Sequence, residues 1–156
     1  MKHLVTAGLL GVIFAAGAIT PLTANADETM DNATVENRKM LMDGIGGAMG
    51  TLGCYLKGQC DLPDPVLRNL ANGIAFAASA APAAFEAKTM NATVKTTATE
   101  KVWTDWDDFS GRFAGLKEGA IAMAAAAAAG DKSAMGAAMG ELGKSCKSCH
   151  DTYRSK

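Results

Sequence analysis

The chain lacks several features that would point to other kinds of protein. Strand-like runs of β-branched residues are absent, so we expect a helical fold. No basic stripe with interleaved aromatic residues occurs and the formal net charge is −1, which argues against nucleic acid as a partner. The acidic run at Asp105, Asp107 and Asp108 has no second carboxylate cluster to pair with, so it indicates a solvated helix face rather than a metal site.

The N-terminal segment has the features of a cleaved signal peptide over residues 1–26. A short basic start precedes an almost wholly apolar run at residues 4–19, and Ala24-Asn25-Ala26 forms a small-x-small cleavage site. The apolar run is short for a membrane span, which needs about 20 residues, so a retained anchor is the weaker alternative. We therefore expect export to the periplasm, a mature domain of residues 27–156 and no stable membrane insertion.

Four helices are predicted from apolar periodicity and from helix-ending residues. Their predicted bounds are 31 or 32 to 58, 63 or 65 to about 82, 99 or 100 to 130, and 131 onward. Gly58 suits a left-handed cap, and Pro82 is expected to end or bend the second helix. Residues 86–99 are polar and threonine-rich and form the longest connection. Short connections between amphipathic helices predict an all-α fold, an antiparallel up-down-up-down four-helix bundle.

The run Cys146-Lys147-Ser148-Cys149-His150 near the C-terminus is the attachment signature of a c-type haem. Two cysteines three apart project from one helix face and suit thioether bonds to the two vinyl groups of one porphyrin. His150 then directs its imidazole to the iron from the same side, and it is the only histidine outside the predicted signal peptide. The sequence therefore predicts one covalently bound haem c near one end of the bundle.

One position in the core-facing stripe of the first helix carries a charge. The stripe consists of Val35, Arg38, Met42, Ile45, Met49, Leu52 and Leu56. A permanent charge at Arg38 needs an anionic partner, and haem propionates would supply one through charge-assisted hydrogen bonds. The alternative is an arginine near a fraying helix start whose side chain reaches water.

Met42 is the candidate residue on the side of the iron opposite His150. In an up-down bundle the first and last helices are antiparallel, so residues 38–42 lie level with the attachment motif. Met40 points about 200° away from Met42 around the helix, and Met49 lies about 10 Å further along the bundle than Met42. Met42 is therefore preferred to both.

The C-terminal run from Cys146 to Arg154 resembles the haem end of class II c-type cytochromes, the cytochrome c′ and cytochrome c-556 group. Three further stretches agree: Arg38-Lys39-x-x-Met42, the glycine-bearing run to Lys57-Gly58, and Val102-Trp103-Thr104-Asp105 with Phe109. The resemblance spans essentially the whole mature chain, although residues 86–99 match no motif. The position of the haem motif is discriminating, because in ordinary small cytochromes c it lies near the N-terminus.

The resemblance implies that His150 is the proximal ligand and that Cys146 and Cys149 hold the haem. It also places Arg38 near the propionates and Arg154 on the proximal side. Residue 42 divides the family. A methionine there binds the iron in low-spin c-556 members, whereas in cytochromes c′ the residue only covers a vacant sixth site. A methionine occurs there in both branches, so the identity of residue 42 alone does not decide between them.

Two functions follow, one for each state of the sixth site. With Met42 as a ligand the protein is a one-electron carrier that serves redox partner proteins and is not an enzyme; we favour this function. With Met42 only lining a pocket beside Leu41, Ile45 and Phe85, the protein binds small gases such as NO or CO. Peroxidase activity is disfavoured because no distal histidine is present. The resemblance leaves a monomer and a homodimer as alternatives, since the family often pairs through its first two helices.

Cys54 and Cys60 depart from the family pattern. Cys54 lies in the last turns of the first helix and Cys60 lies just past the reversal at Gly58, so we predict a disulfide that stabilises the fold by roughly 2 kcal/mol. Two unpaired thiols are the alternative. A thiol–disulfide oxidoreductase or a zinc site of all four cysteines is disfavoured, since no strands are predicted and the two cysteine pairs should lie at opposite ends of the bundle.

Overall fold

The computed structural model describes residues 22–156, with side chains from residue 27 onward. The predicted signal peptide lies outside the residues whose side chains are described, and it stays a prediction. The helices of the described part are α1 (Leu22–Leu56), α2 (Asp64–Glu86), α3 (Lys101–Thr104), α4 (Trp106–Ala128) and α5 (Lys132–Tyr153). The four long helices form the bundle that the sequence predicted. α2 packs on α1 and α4, α4 packs on α5, and a smaller contact between α1 and α5 closes the bundle.

α1 begins at Leu22 rather than at the predicted start, Asp31 or Asn32. No glycine or proline occurs between Leu22 and Asp43, so nothing in this stretch interrupts the helix. The other end agrees with the prediction. After the last residue of α1, Gly58 adopts a φ of +68°, the left-handed conformation that glycine accepts without a steric penalty.

α2 begins with Pro65 in its first turn, as predicted, but it does not end at Pro82. It continues to Glu86 because the carbonyl groups of its last turn have donors outside the helix. Arg38 of α1 donates to the Ala84 carbonyl (2.8 Å) and the Trp103 indole donates to the Phe85 carbonyl (2.8 Å). These bonds stabilise a final turn that proline alone would leave weak.

The predicted third helix is divided into α3 and α4. Between them Asp105 leaves the helical conformation, with φ −118° and ψ 43°. The sequence carries no glycine or proline at this point, so the break had no local signal. Trp103 and Trp106, which were predicted to face inward, are half-buried on either side of the break.

The connection between α2 and α3 comprises residues 87–100 and contacts both α1 and the end of α5; we call residues 87–99 the strap. Near α1, the Asn32 side-chain carbonyl accepts from the backbone N–H groups of Thr93 (2.8 Å) and Val94 (3.0 Å). Near the C-terminus, the Thr99 N–H donates to the Tyr153 carbonyl (2.9 Å). A polar segment that resembled no motif is therefore anchored to the first and the last long helix.

The core consists of apolar side chains from all four long helices. Its largest fully buried members are Val35, Leu52, Leu67, Ile74, Val102, Met123, Met135 and Leu142. α4 and α5 approach each other closely at Gly119, where an added Cβ would lie 3.1 Å from a Leu142 methyl group. Among the helices of residues 22–156, none combines the length and apolarity that crossing a membrane requires.

Candidate haem site

A cavity of about 780 Å³ lies between α1, α4, α5, the end of α2 and the strap. Most of its wall is apolar, including Ile45 and Phe85, the two neighbours predicted for Met42. The charged side chains along it are mainly basic: Arg38, Lys39, Lys95, Arg112 and Arg154, against the single carboxylate Asp43. An apolar cleft with a mainly cationic lining suits a flat apolar ligand that carries negative groups at one edge.

The attachment motif occupies the last turns of α5. Cys146 and Cys149 are unpaired and half-buried, and both line the cavity. Burial raises the pKa of each thiol, so both are uncharged at neutral pH. The helix therefore presents both sulfur atoms toward one space, as their spacing predicted.

His150 lies at the edge of the same cavity. Partial burial, followed by the positive charge of Arg154, lowers the pKa of His150 below its ordinary value. The neutral imidazole is the form that binds a metal ion. The local environment of His150 therefore favours a ligand rather than a cation.

Two methionines of α1 face the cavity. Met42 and Met49 both line it, while Met40 is 67% exposed on another face of the helix, as predicted. Met49 lies further along α1 than Met42, as predicted, and it still lines the cavity because the cavity extends over more than one turn of α1. Leu41, expected beside Met42, lies instead in a shallow apolar depression between α1 and α2.

Arg38 is 3% exposed, so the alternative of a side chain that reaches water is wrong. Its guanidinium donates to the Ala84 carbonyl, the Ala87 carbonyl and the Thr89 hydroxyl. It also lies over the ring of Phe85 at 5.2 Å, where a cation is attracted to the aromatic face. Burial lowers the pKa of Arg38, and the charge of Asp31 opposes that shift. The guanidinium thus caps the C-terminus of α2 and borders the cavity, while its predicted contact with a propionate stays a prediction.

The residues around the cavity fit a covalently bound haem. The volume of the cavity is in the range found for cofactor-binding sites. Gly46 and Gly47 form part of its wall, and a Cβ added at either would meet no protein atom within 4 Å, so the space beside them is free for a ligand. Two unpaired thiols and a neutral imidazole border this space.

Comparison with known proteins identifies the family. A family model described as Cytochrome C' matches residues 33–154. The chain belongs to the cytochrome c′ family. It is 38% identical to a cytochrome c′ of Pararhodospirillum photometricum over 122 residues, which are 78% of this chain and 96% of that protein. It is 34% identical to a cytochrome c-556 of Agrobacterium tumefaciens strain B2A over 122 residues, 78% of this chain and 97% of that one.

Solved cytochrome c′ structures share the bundle. A nitric oxide complex of a cytochrome c prime variant from Alcaligenes xylosoxidans superimposes with a TM-score of 0.71 at 26% identity, covering 81% of this chain and 96% of that one. Proteins of the cytochrome c′ family carry covalently bound haem c, so the chain is a c-type cytochrome with that cofactor. Cys146 and Cys149 are the residues that would hold it, and His150 is the residue that would bind its iron.

Several cavity residues were missed at the level of sequence. Lys95 and Thr97 reach it from the strap, which matched no cytochrome c′ motif. Arg112 reaches it from α4 and is paired with Asp108, a residue that the sequence indicated as part of a solvated face. Arg154, predicted on the proximal side, lines the cavity and forms an isolated backbone bridge with Ala98 of the strap.

Cys54 and Cys60 are joined as a disulfide in the structure, with Cα atoms 5.5 Å apart. The bond ties the end of α1 to the loop before α2. Neither cysteine lines the cavity. Among the side chains of residues 27–156, no group of three or more histidines, cysteines and carboxylates lies together in a way that could hold a metal ion directly.

Proposed function

We propose that this cytochrome is a one-electron carrier in which Met42 is the sixth ligand of the haem iron, opposite His150. The supporting observation is that Met42, on α1, and His150, on α5, line one cavity with the two attachment cysteines. Haem bound by histidine and methionine supplies a one-electron couple with a raised potential. A ligand set that is complete on both sides leaves little room for an added molecule.

The protein would contribute orientation and the exclusion of water. The two thioethers would fix the porphyrin on α5, and the neutral imidazole of His150 would be directed from the following residue. On the α1 side, buried Ile45 and Phe85 adjoin Met42 and keep the thioether in an apolar environment. Such surroundings favour a soft sulfur ligand over water.

A second function has a specific observation in its favour. The related cytochrome c prime from Alcaligenes xylosoxidans is described as a nitric oxide complex, so one member of the family binds this gas. In that alternative Met42 only lines the cavity and the iron keeps an open position for NO or CO. The chain is similar to proteins of both branches, cytochromes c′ and cytochromes c-556, and only in the second branch does the resemblance link a methionine at position 42 to the iron.

Three further features belong to the same proposal. The family and the N-terminal segment support a periplasmic location, where redox proteins would be the partners. A homodimer stays a prediction. The shallow apolar depression formed by Met40, Leu41, Val66 and Leu70 lies on α1 and α2, the helices through which the family often pairs.

Absorption and electron paramagnetic resonance spectra of the holoprotein test the sixth ligand. We expect a low-spin ferric signal and a methionine-to-iron charge-transfer band, both lost in Met42→Ala. Met40→Ala, on an exposed face, and Met49→Ala, in the same cavity, are matched controls that should keep the wild-type spectrum. Loss of the band in Met49→Ala alone would transfer the role to Met49. A high-spin ferric spectrum in the wild type, with ready CO uptake after reduction, would establish the gas-binding alternative.

A further inference from the structure

A small polar network lies beside the attachment motif and is not used by the ligands proposed above. Arg112 of α4 donates through Nε to the Asp108 carboxylate (2.7 Å) and through Nη1 to the Ser148 carbonyl (3.0 Å). The Tyr153 hydroxyl donates to the same Asp108 oxygen. The guanidinium carbon of Arg112 also lies 5.2 Å from the centre of the Tyr153 ring.

The location of these contacts distinguishes them from an ordinary surface ion pair. An exposed arginine–aspartate pair one helical turn apart contributes little by itself. Here the same guanidinium also binds the carbonyl of Ser148, which lies between the two attachment cysteines. Tyr153 is buried three residues after His150, and its ring packs edge-on against Phe109 of α4 at 5.1 Å. The network therefore holds the haem-bearing turn of α5 against α4 from both sides of His150.

The network also places two opposite charges near the proximal side of the cavity. Arg112 lines the cavity together with Cys149 and His150. Its bond to the Ser148 carbonyl (3.0 Å) fixes the guanidinium, and therefore its positive charge, beside the attachment site. The Asp108 carboxylate accepts from the same guanidinium at 2.7 Å and does not itself line the cavity.

We propose that Asp108, Arg112 and Tyr153 form a positioning network for the haem-bearing turn, and that its two charges shift the reduction potential of the iron in opposite directions. This proposal rests on the one-electron function proposed above. One electron passes from a redox partner to ferric iron and gives ferrous iron, and no bond forms or breaks in the network. Because reduction lowers the positive charge of the site, Arg112 favours the ferrous state and Asp108 opposes it.

Redox titration of holoprotein variants tests the charges. Arg112→Gln and Asp108→Asn break the same ion pair, so a purely structural role would move the potential in the same direction in both or leave it unchanged. We expect a lower potential in R112Q and a higher potential in D108N. Arg112→Lys keeps the charge and should keep a potential close to the wild type. Arg68→Gln, which removes an exposed arginine of α2 far from the motif, is the matched control.

Hydrogen exchange of the backbone amides of residues 146–153 tests the positioning. Exchange should be faster in R112Q, D108N and R112K than in R68Q, since each loses part of the two-point attachment. Tyr153→Phe removes one hydroxyl and no charge, so it should speed exchange and leave the potential unchanged. Redox titration and hydrogen exchange together separate the effect of the network on the position of the turn from the effect of its charges on the potential.

Shifts of the same sign in R112Q and D108N, or potentials equal to that of R68Q in both, would overturn the proposal. Unchanged exchange in all four network variants, R112Q, D108N, R112K and Y153F, would overturn the positioning role. If R112Q gives no holoprotein, D108N and Y153F decide, because only D108N should raise the potential. A high-spin spectrum would refute the electron-carrier function with Met42 as ligand, while opposite shifts in the two variants would still support the network.

Discussion

Replacement of Arg38 by methionine tests the hydrogen bonds that this buried guanidinium makes to the end of α2 and to the strap. The methionine keeps a long apolar side chain in the stripe of α1 but removes the guanidinium that binds the end of α2. We therefore expect the last turn of α2 and the neighbouring strap to loosen together. Arg38→Lys keeps the charge with a single ammonium group in place of the planar fork, so it separates charge from geometry.

The size of the effect follows from the contacts. Each hydrogen bond to a charged group contributes about 1.5–3 kcal/mol, but the methionine also removes the cost of burying a charge. The Ala84 carbonyl belongs to a half-buried residue and would lose its donor, whereas Ala87 is exposed and its carbonyl can bind water. We expect a net loss of about 3 kcal/mol in R38M, which is a fall of roughly 10 °C in melting temperature for a domain of this size.

Thermal and denaturant unfolding of the holoprotein, followed by circular dichroism, measures this loss. Arg38→Lys should lose roughly two thirds as much, since it retains one of the three bonds. Arg68→Met is the control on an exposed position of α2 and should stay within about 0.5 kcal/mol of the wild type. A loss below about 1 kcal/mol in R38M would contradict the reasoning, because the capping bonds would then contribute no more than a surface contact.

Two further predictions concern the disulfide between Cys54 and Cys60 and the Asp108 carboxylate of the positioning network. The double variant Cys54→Ser, Cys60→Ser should unfold with a free energy roughly 2 kcal/mol below the wild type, and labelling of unfolded, unreduced wild-type protein should find no thiol at either position. Labelling there before reduction would show that the bond does not form. The hydroxyl of Tyr153 and then the guanidinium of Arg112 hold the pKa of Asp108 below its ordinary value. Its stabilising contribution is therefore present above about pH 4 and is lost as the pH falls through the lowered value, so the melting temperatures of wild type and Asp108→Asn should converge in acid. A difference that stays constant down to about pH 3 would refute this assignment.

The helix bundle and the α5 part of the site, which carries the attachment motif, could be predicted because their sequence signals are local. Apolar residues at steps of three and four determine which helix faces pack together, and the cysteine spacing determines which side chains share a face. Arg38 was predicted at a core position for the same reason. Its partners could not be predicted, because they depend on where α2 ends, and that end is itself stabilised by Arg38 and Trp103.

The features that could not be predicted arise from contacts between distant parts of the chain. Asp108 is exposed, as a solvated acidic face predicts, but the bond that it accepts from Tyr153, far along the sequence, has no local signal. Met49 lies further along α1 than Met42, and only the length of the cavity shows that both residues line it. The division between α3 and α4 at Asp105 likewise follows from tertiary packing, since its own residues favour a continuous helix.

The strap has a consequence for the order of folding. Contacts within the pairs α1–α2 and α4–α5 bring together segments joined by short connections, whereas the strap contacts Asn32 and Tyr153 across separations of 61 and 54 residues. Loop-closure entropy makes such contacts costly until the rest of the chain is already compact. The wall that the strap adds to the haem cavity is thus expected to form last during folding and to open first when the protein unfolds.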